Sequence, residues 1–333
     1  MVDGTVQRPD LFVASHGFCF DGLCAAALFR RLAEHVSGPA AKVAFHAATY
    51  RPGKQGVSPR RMVGAVNAVL DYRFPTAFDR LGWYFDHHVT AFATPEERAA
   101  YDAHVAERRG PDRRWFHDGA YTSCTKLIAD VGASVFGLDP TPVAEIVRWA
   151  DMIDSAAFPS ARVAVERAEP VLQLMTVIEH ACDDDFLART VPRVLGEGLE
   201  AIARTPEVQA AYAPLKRGND AFVELVRKRA VVRGDVVYVD LSSESIEVAT
   251  KFVTYALFPE QAYSVVLTRS LAGKSKVSVG YNPWSGRPRL HDIASICQRF
   301  GGGGHPVVGA VALAGSAADA QKVADEIARE LGA

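Results

Sequence analysis

Cysteine is scarce: Cys19, Cys24, Cys124, Cys182 and Cys297 are scattered through 333 residues with no CxxC pair. An odd, dispersed set of this kind excludes a disulfide framework and a zinc knuckle, and a reducing cytoplasm is the expected compartment. Long apolar runs are missing too. None approaches the roughly 18 residues of a membrane span, and the opening segment Met1–Asp10 is polar, without the charged-then-apolar layout of a signal peptide. Nor is there an excess of basic charge, since 37 Lys and Arg face 39 Asp and Glu for a formal net charge of −2. That balance argues against a clamp on long DNA or RNA, which carries a marked basic excess. It permits local basic patches and short anionic ligands. No internal repeat or low-complexity tract is present. What remains is a globular composition, 49% hydrophobic and 23% charged, with room for two ordinary domains.

The first half alternates short β-like runs with helical stretches, the pattern of a parallel α/β sheet. Leu11–Ser15 reads as a buried strand and Leu23–Leu32 as a helix. Lys42–Ala48, Ala65–Leu70 and Trp83–Phe85 are further strands, the last two each followed by an acid, Asp71 and Asp86. From Thr122 to Arg229 the chain reads as mostly helical. Thr122 or Ser123 caps a helix to Phe136, Thr141-Pro142 opens one reaching Asp151, and Asp185 caps a third. Strands then return at Asp235–Leu241, Tyr263–Arg269, Lys276–Tyr281 and Val307–Leu313. Helices are expected near Glu247–Leu257 and His291–Arg299, with a terminal one from Ser316. The expected organisation is an α/β domain over 1–190, a helical connector over 191–230 and a smaller mixed α/β domain over 231–333.

Four polar clusters fall at expected strand ends or on the helix that follows: Ser15-His16-Gly17-Phe18-Cys19-Phe20-Asp21-Gly22, Asp71, Asp86-His87-His88, and Asp151 with Asp154. In open α/β sheets, side chains beyond the carboxyl ends of strands converge on a ligand. A carboxylate ending a buried strand costs desolvation unless a cation meets it. Asp and His with open positions are the ligand set for Mn²⁺, Mg²⁺ or a similar ion, and enough acids are present for two ions bridged by one Asp. A single strand-terminal Asp is as readily a turn residue. It is the coincidence of four clusters that favours metal.

A second motif, Arg299-Phe300-Gly301-Gly302-Gly303-Gly304-His305-Pro306, follows a helix and precedes a strand. Consecutive glycines let backbone N–H groups approach an anion, and His305 adds a donor. A flexible hinge is the plainer reading, but Phe300 and Pro306 bracket the run, which favours a shaped loop. Asp183-Asp184-Asp185 precedes a helix and reads as a capping segment. His46, His104, His117, His180 and His291 read as structural. Arg51-Pro52-Gly53-Lys54 and Arg287-Pro288-Arg289 are weaker phosphate contacts.

On Asp86-His87-His88 and Gly302-Gly303-Gly304-His305, in this order and separation, the chain resembles the DHH phosphoesterase superfamily, with a DHH domain followed by the DHH-associated domain. The resemblance spans nearly the whole chain and implies an active-site cleft between a parallel-sheet domain and a smaller mixed one. It implies that His16 and Asp71 hold one divalent ion while Asp21, Asp71, His87 and Asp151 hold another. His88 would contact the scissile phosphate and protonate the leaving group. Gly302, Gly303, Gly304 and His305 would hold the far phosphate, with water activated by the metals attacking phosphorus in line. Cys19 stands where the family usually has a carboxylate. Either it ligates as thiolate, favouring Zn²⁺ or Fe²⁺ over Mn²⁺, or it is a small buried residue and water completes the shell. An Arg common before the glycine motif is also missing, with Gly280 near that place.

The expected function is metal-dependent hydrolysis of phosphoester bonds in short nucleotidic substrates: oligonucleotides, 3′-phosphoadenosine 5′-phosphate, or dinucleotides. Two metal ions, Mn²⁺ first, are the expected cofactors. No membrane partner or long-duplex clamp is expected, no room is left after Ala333 for an OB-type domain, and a homodimer is compatible. Two alternatives stand: a catalytically silent nucleotide-binding module, motivated by Cys19, and a phosphodiesterase for a non-nucleotide phosphoester.

Overall fold

The computed structural model of the chain describes residues 8–50, 56–76, 78–246, 250–270 and 273–332. The loop Arg51-Pro52-Gly53-Lys54 and the start of the helix expected from Glu247 lie outside these. Two compact units result: one runs to Ala157 and adds Glu169–Tyr212, and the other joins Phe158–Ala168 to Ala213–Ala333. Among the described residues no helix is long and apolar enough to cross a membrane.

The first unit contains β1 (Leu11–His16), α1 (Phe20–Ser37), β2 (Val43–Ala48), β3 (Val66–Leu70), β4 (Trp83–Asp86), α2 (Pro95–Glu107), β5 (Trp115–His117), α3 (Cys124–Phe136) and α4 (Ala144–Asp154). All five strands are parallel, in the order β2-β1-β3-β4-β5. A parallel strand covered on both faces reads as a continuous apolar run rather than an alternation. Leu11-Phe12-Val13-Ala14 is such a run, and all four residues are buried. From β1 the chain goes to β2 on one side and then to β3 on the other, so the winding direction reverses between β1 and β3. That reversal opens a crevice at the carboxyl ends of these strands.

Helix α1 starts three residues earlier than its apolar pattern predicts, at Phe20, because the buried Asp21 and Gly22 belong to its first turn. Its first ten residues, Phe20–Phe29, are all buried, as expected of a helix apolar on every side. It packs against α3 and α4. Gly22 is where α1 meets β1: a Cβ there would stand 2.1 Å from the His16 carbonyl oxygen. Of the two expected caps, Thr122 and Ser123, it is Ser123 that caps α3, its hydroxyl accepting from the Lys126 N–H.

Past this core lie α5 (Ala161–Glu166), α6 (Pro170–Ala181), α7 (Asp184–Glu197), α8 (Leu199–Ala203) and α9 (Pro206–Arg229). Asp183, not Asp185, caps α7, its carboxylate accepting from the Phe186 N–H at 2.9 Å. A run of three acids leaves the cap position open by one or two residues, and the geometry of the first turn selects it. Helices α6, α7 and α8 belong to the first unit and α5 to the second, and the division between units falls inside α9.

The second unit adds β6 (Ala230–Arg233), β7 (Val236–Leu241), α10 (Val253–Leu257), β8 (Tyr263–Arg269), β9 (Ser275–Tyr281), α11 (Ile293–Arg299), β10 (Gly303–His305), β11 (Val308–Leu313) and α12 (Ala317–Leu331). Its six-stranded sheet, β10-β11-β9-β8-β7-β6, is mixed, with β7 and β8 its one parallel pair. α12 begins at a capping box formed by Ser316 and Asp319, and it lays Ala320, Ala324, Ile327 and Leu331 into a core with Val236, Val265 and Val277.

The α1–β1 contact yields a stability test. Gly22→Ala is expected to destabilise the protein by about 1–3 kcal/mol, because the added methyl displaces backbone rather than a flexible side chain. Urea unfolding of the full chain measures this, and an unchanged midpoint would show that α1 yields without cost.

Candidate metal centre

Every residue of the cluster stands at or just beyond a carboxyl strand end of the first sheet or on a neighbouring helix. His16 ends β1, Asp71 follows β3, and Asp86 ends β4 with His87 and His88 behind it. Asp21 sits in the first turn of α1 and Asp154 in the last of α4. The crevice at the β1–β3 reversal thus collects residues distant in sequence.

Asp71 is at the centre, 1% exposed. His16 Nδ1 stands 3.6 Å from its Oδ2, while His87 Nε2 and His88 Nδ1 lie 3.5 and 3.8 Å from its Oδ1. Cys19 Sγ is 3.6 Å from Oδ2. The Asp71 N–H donates to the Phe85 carbonyl at 2.8 Å, and the residue takes a left-handed backbone, φ 52°. Phe18 does likewise, with φ 58°. Each such residue costs on the order of 1–3 kcal/mol, which the surrounding packing must hold in place.

Histidine 87 is oriented from behind. Its Nδ1–H donates to the Tyr121 carbonyl at 3.1 Å, which leaves Nε2 facing Asp71 at 3.5 Å, Asp154 at 3.4 Å and Asp21 at 3.9 Å. A backbone acceptor behind an imidazole is how metal-ligating histidines are commonly fixed. His88 is held differently: its Nδ1–H donates to Asp86 Oδ1 at 2.7 Å, and Asp86 Oδ2 accepts from the Tyr84 hydroxyl at 3.1 Å. That leaves His88 Nε2 as the ring nitrogen available to a ligand. His117 supports the same segment by donating from Nε2 to the His88 carbonyl at 2.8 Å.

Asp21 is 1% exposed, and it accepts from the Cys124 and Thr125 N–H groups at 2.7 and 3.0 Å, at the start of α3. Donors at a helix N-terminus favour the anion, yet burial, with Asp71 and Asp154 nearby, pushes its carboxyl up to about 8. Burial and Asp71 also raise Asp154. Burial alone would raise Asp71, but the His16 and His87 imidazoles beside it outweigh burial and hold Asp71 at about 2. His87 is opposed by its own burial, yet contact with Asp71 and the charge of Asp21 lift it to about 10. His88 is raised chiefly by its bond to Asp86. Burial, then the charges of Asp71, Asp21 and Asp154, raise the Cys19 thiol well above its usual value. The group therefore offsets its own negative charge with protons.

A divalent cation fits this set better than protons do. Asp71 Oδ1 and His87 Nε2 are both buried without a hydrogen-bond partner. Ligand atoms of His16, Cys19 and Asp71 lie within 4.8 Å of one another, as do those of Asp71, His87 and His88, and of Asp21, His87 and Asp154. Asp71 and His87 each belong to two of these groups.

Asp151 sits elsewhere. Its Oδ1 accepts from the Thr122 and Ser123 hydroxyls, the second at 3.3 Å, so it braces the entry to α3. Asp154, one helical turn later, is the α4 acid that meets His87. The i, i+3 spacing puts both acids on one face of the helix, and only the tertiary approach of α4 distinguishes them.

In the second unit, Gly303–His305 forms a strand paired with β11, not a loop. A Cβ on Gly302 would lie 2.2 Å from the Ala310 carbonyl oxygen, and one on Gly304 2.2 Å from that of Val308. Packing thus accounts for both. Gly303 has nothing within 4 Å of a Cβ, so the fold does not require glycine there, and His305 is exposed. At Gly280 a side chain would meet the Tyr255 hydroxyl at 2.1 Å, so tyrosine occupies the space an Arg there would need. Arg287 pairs with Asp235, and Arg289 donates to the His291 and Pro306 carbonyls. His46 pairs with Asp184 at 3.0 Å, His104 stacks on Trp115, His180 bonds the Thr176 carbonyl and His291 packs edge-on to Tyr263.

Proteins of known structure share this architecture. PggH from Vibrio cholerae, a pGpG-specific phosphodiesterase, matches 96% of this chain and 98% of its own at 17% identity, with a TM-score of 0.68. The DHH domain of a protein described as belonging to a family of ribosomal proteins matches 98% of this chain and 88% of its own at 12% identity and a TM-score of 0.58. RecJ from Thermus thermophilus, in complex with Mn²⁺, matches 97% of this chain and 52% of its own at 13% identity and a TM-score of 0.53. No family model and no curated protein matches the sequence. The chain has the fold of DHH-domain proteins, a parallel sheet followed by a second α/β domain.

Metal binding should release protons, since His87 near 10 and Asp21 near 8 both carry one at pH 7 in the metal-free protein. Both groups keep protons below those values and lose them above, so affinity for Mn²⁺ should rise from pH 6 to pH 8.5. Calorimetric titration in buffers of different ionisation enthalpy should show at least one proton released per chain. Zero release would mean that these groups do not receive the ion.

Proposed function

We propose that the chain is a divalent-metal-dependent phosphohydrolase that cleaves phosphoester bonds in short nucleotidic substrates. One observation carries the reading: Asp71 Oδ1 and His87 Nε2 are buried and 3.5 Å apart at the carboxyl ends of a parallel sheet, and among the described residues neither has a hydrogen-bond partner. Two such atoms left unsatisfied cost several kcal/mol by the usual penalty for buried polar groups, and a cation removes the penalty for both.

We assign His16, Cys19 and Asp71 to one ion, and Asp21, Asp71, His87 and Asp154 to the other, with Mn²⁺ the expected metal. When bound, such ions supply Lewis-acid neutralisation of phosphate charge and a water that ionises near neutral pH. The protein's own contribution is positional. Asp86 and the His117 bond hold His88 so that Nε2 faces the substrate, where it hydrogen-bonds a phosphate oxygen and passes a proton to the leaving oxygen. His88 is raised from its usual range by Asp86, which keeps that proton available at neutral pH. The second unit's Gly302, Gly303, Gly304 and His305 are assigned to anion binding. Gly303 supports this, since its missing side chain is not explained by packing. Among oligonucleotides, 3′-phosphoadenosine 5′-phosphate and dinucleotides, the likeness to a pGpG-specific phosphodiesterase favours a dinucleotide.

Hydrolysis of a linear dinucleotide with Mn²⁺ tests the function. Asp71→Ala and His87→Ala are each expected to lower kcat by at least about a thousandfold, in the range seen when one member of a catalytic unit is removed. Tight nucleotide binding with no turnover in the wild type would instead support a silent binding module. The metal assignment has its own readout. In the Co²⁺-loaded protein, Cys19 ligation should give a sulfur-to-cobalt charge-transfer band that Cys19→Ser abolishes. Identical spectra would return Cys19 to a packing role and leave the harder ions favoured.

A further inference from the structure

Beside the metal cluster, at the carboxyl end of β2, the first unit holds a cavity of about 920 Å³ lined by Phe18, Thr49, Ser58, Arg60, Thr76 and Asp185 among others. It adjoins the His16–Cys19 side of the cluster through two links. Ala48, a lining residue, is the register partner of His16, and Phe18 immediately precedes Cys19. The phosphohydrolase reading leaves this space without a role.

Phe18 is its most unusual wall. A bulky residue in the left-handed region is a genuine outlier, and this one also keeps 40% of its surface exposed. It has neither a relaxed backbone nor a buried ring. The conformation is enforced: the Gly17 N–H donates to the Ala48 carbonyl at 2.7 Å and the Phe18 N–H to the Cys182 carbonyl at 3.4 Å. A Cβ on Gly17 would strike Ala47 at 2.8 Å. Backbone strain of this kind clusters at ligand-binding sites, and here it is held at an exposed aromatic residue that lines a cavity.

The polar lining divides into used and unused groups. Asp184 is consumed by His46 at 3.0 Å, the Ala47 N–H at 2.8 Å and Arg61 at 3.3 Å. Asp183 caps α7. Asp185 and Arg60 are both exposed, and among the described residues neither makes an ion pair or side-chain hydrogen bond. Beside the hydroxyls of Thr49, Ser58 and Thr76, the cavity thus offers the Phe18 side chain and, uncommitted among the described residues, the Asp185 carboxylate and the Arg60 guanidinium.

That combination has a matching ligand chemistry. Stacking on an aromatic ring accepts any base, and the polar pair makes the choice. Guanine presents adjacent donors at N1 and N2, suited to a carboxylate, with O6 and N7 as acceptors suited to arginine. Adenine offers one donor, beside an N1 lone pair that a carboxylate repels. We propose that this cavity is a guanine subsite, in which Phe18 stacks the base, Asp185 accepts from N1–H and N2–H, and Arg60 donates to O6 or N7. The proposal rests on the phosphohydrolase reading for its purpose: it seats the nucleoside whose phosphate is cleaved at the Asp71 cluster.

Calorimetric binding of 5′-GMP and 5′-AMP to the full chain tests it. GMP should bind at least about tenfold more tightly than AMP, the discrimination of one good bidentate contact. Asp185→Asn should erase that preference, and Phe18→Ala should weaken both nucleotides together while Phe18→Tyr restores them. Unfolding midpoints near the wild type's confirm that the variants fold. Equal affinities for GMP and AMP, or variants that bind as the wild type does, overturn the subsite. Hydrolysis of bis(p-nitrophenyl) phosphate, which carries no base, separates the two readings. Turnover without a guanine preference removes the subsite alone, and a guanine preference without turnover removes the hydrolase reading alone.

Discussion

The contact on which the rest of the first unit depends is the one between the Asp71 carboxylate and the imidazoles around it. A carboxylate that is 1% exposed is tolerable only where positive charge or hydrogen bonds replace its lost water. Here the replacement is divided among His16, His87 and His88, none closer than 3.5 Å to it. Those distances are long for direct hydrogen bonds and ample for an ion between the partners. Asp21 and Asp154 add negative charge to the same volume, so what stabilises the cluster is a compact source of positive charge, supplied by protons or by metal.

The fold is arranged to hold that volume steady. The β1–β3 reversal opens the crevice, and the strands carry the side chains to its rim. Three supports lie behind the cluster: the Tyr121 carbonyl fixes His87, Asp86 fixes His88, and the start of α3 fixes Asp21. None of these supports itself meets a substrate in the proposed chemistry. Their work is to remove rotational freedom from the groups that do, and rigid placement is the larger part of what a protein adds to a metal-assisted reaction. Backbone strain at Phe18 and Asp71 is the accompanying cost, borne by the packed core beneath them.

Much of this was legible in the sequence, and the misreadings share a cause. Strand ends at Asp71 and Asp86 could be read because buried parallel strands are continuous apolar runs that stop abruptly at a charge. The starts of α3, at Thr122 or Ser123, and of the terminal helix, from Ser316, could be read because helix-start signals are local. The choice between Asp151 and Asp154 could not, since both share a helix face and only the approach of α4 to His87 separates them. Asp183 displaced Asp185 as a cap because three consecutive acids leave the position open until the first turn of α7 forms. The glycine run was read as a loop because glycine is weak in strands by propensity. Close approach to the Val308 carbonyl requires glycine at 304, within that strand, and close approach to the Ala310 carbonyl requires it at 302, just before the strand.

The sequence by itself determined the α/β class, the succession of most strands and helices, and the Asp and His residues available for metal. These follow from patterns a few residues long, where apolar periodicity, capping and turn chemistry act. Tertiary structure decided which of those residues meet. The strand order β2-β1-β3-β4-β5 is a long-range outcome, and it brings His16, Asp71 and His87 together across 71 residues of chain. Charge coupling inside that cluster, the strained exposure of Phe18 and the side-chain space left open at Gly303 likewise exist only once the chain is packed. Each depends on distances that no local pattern encodes.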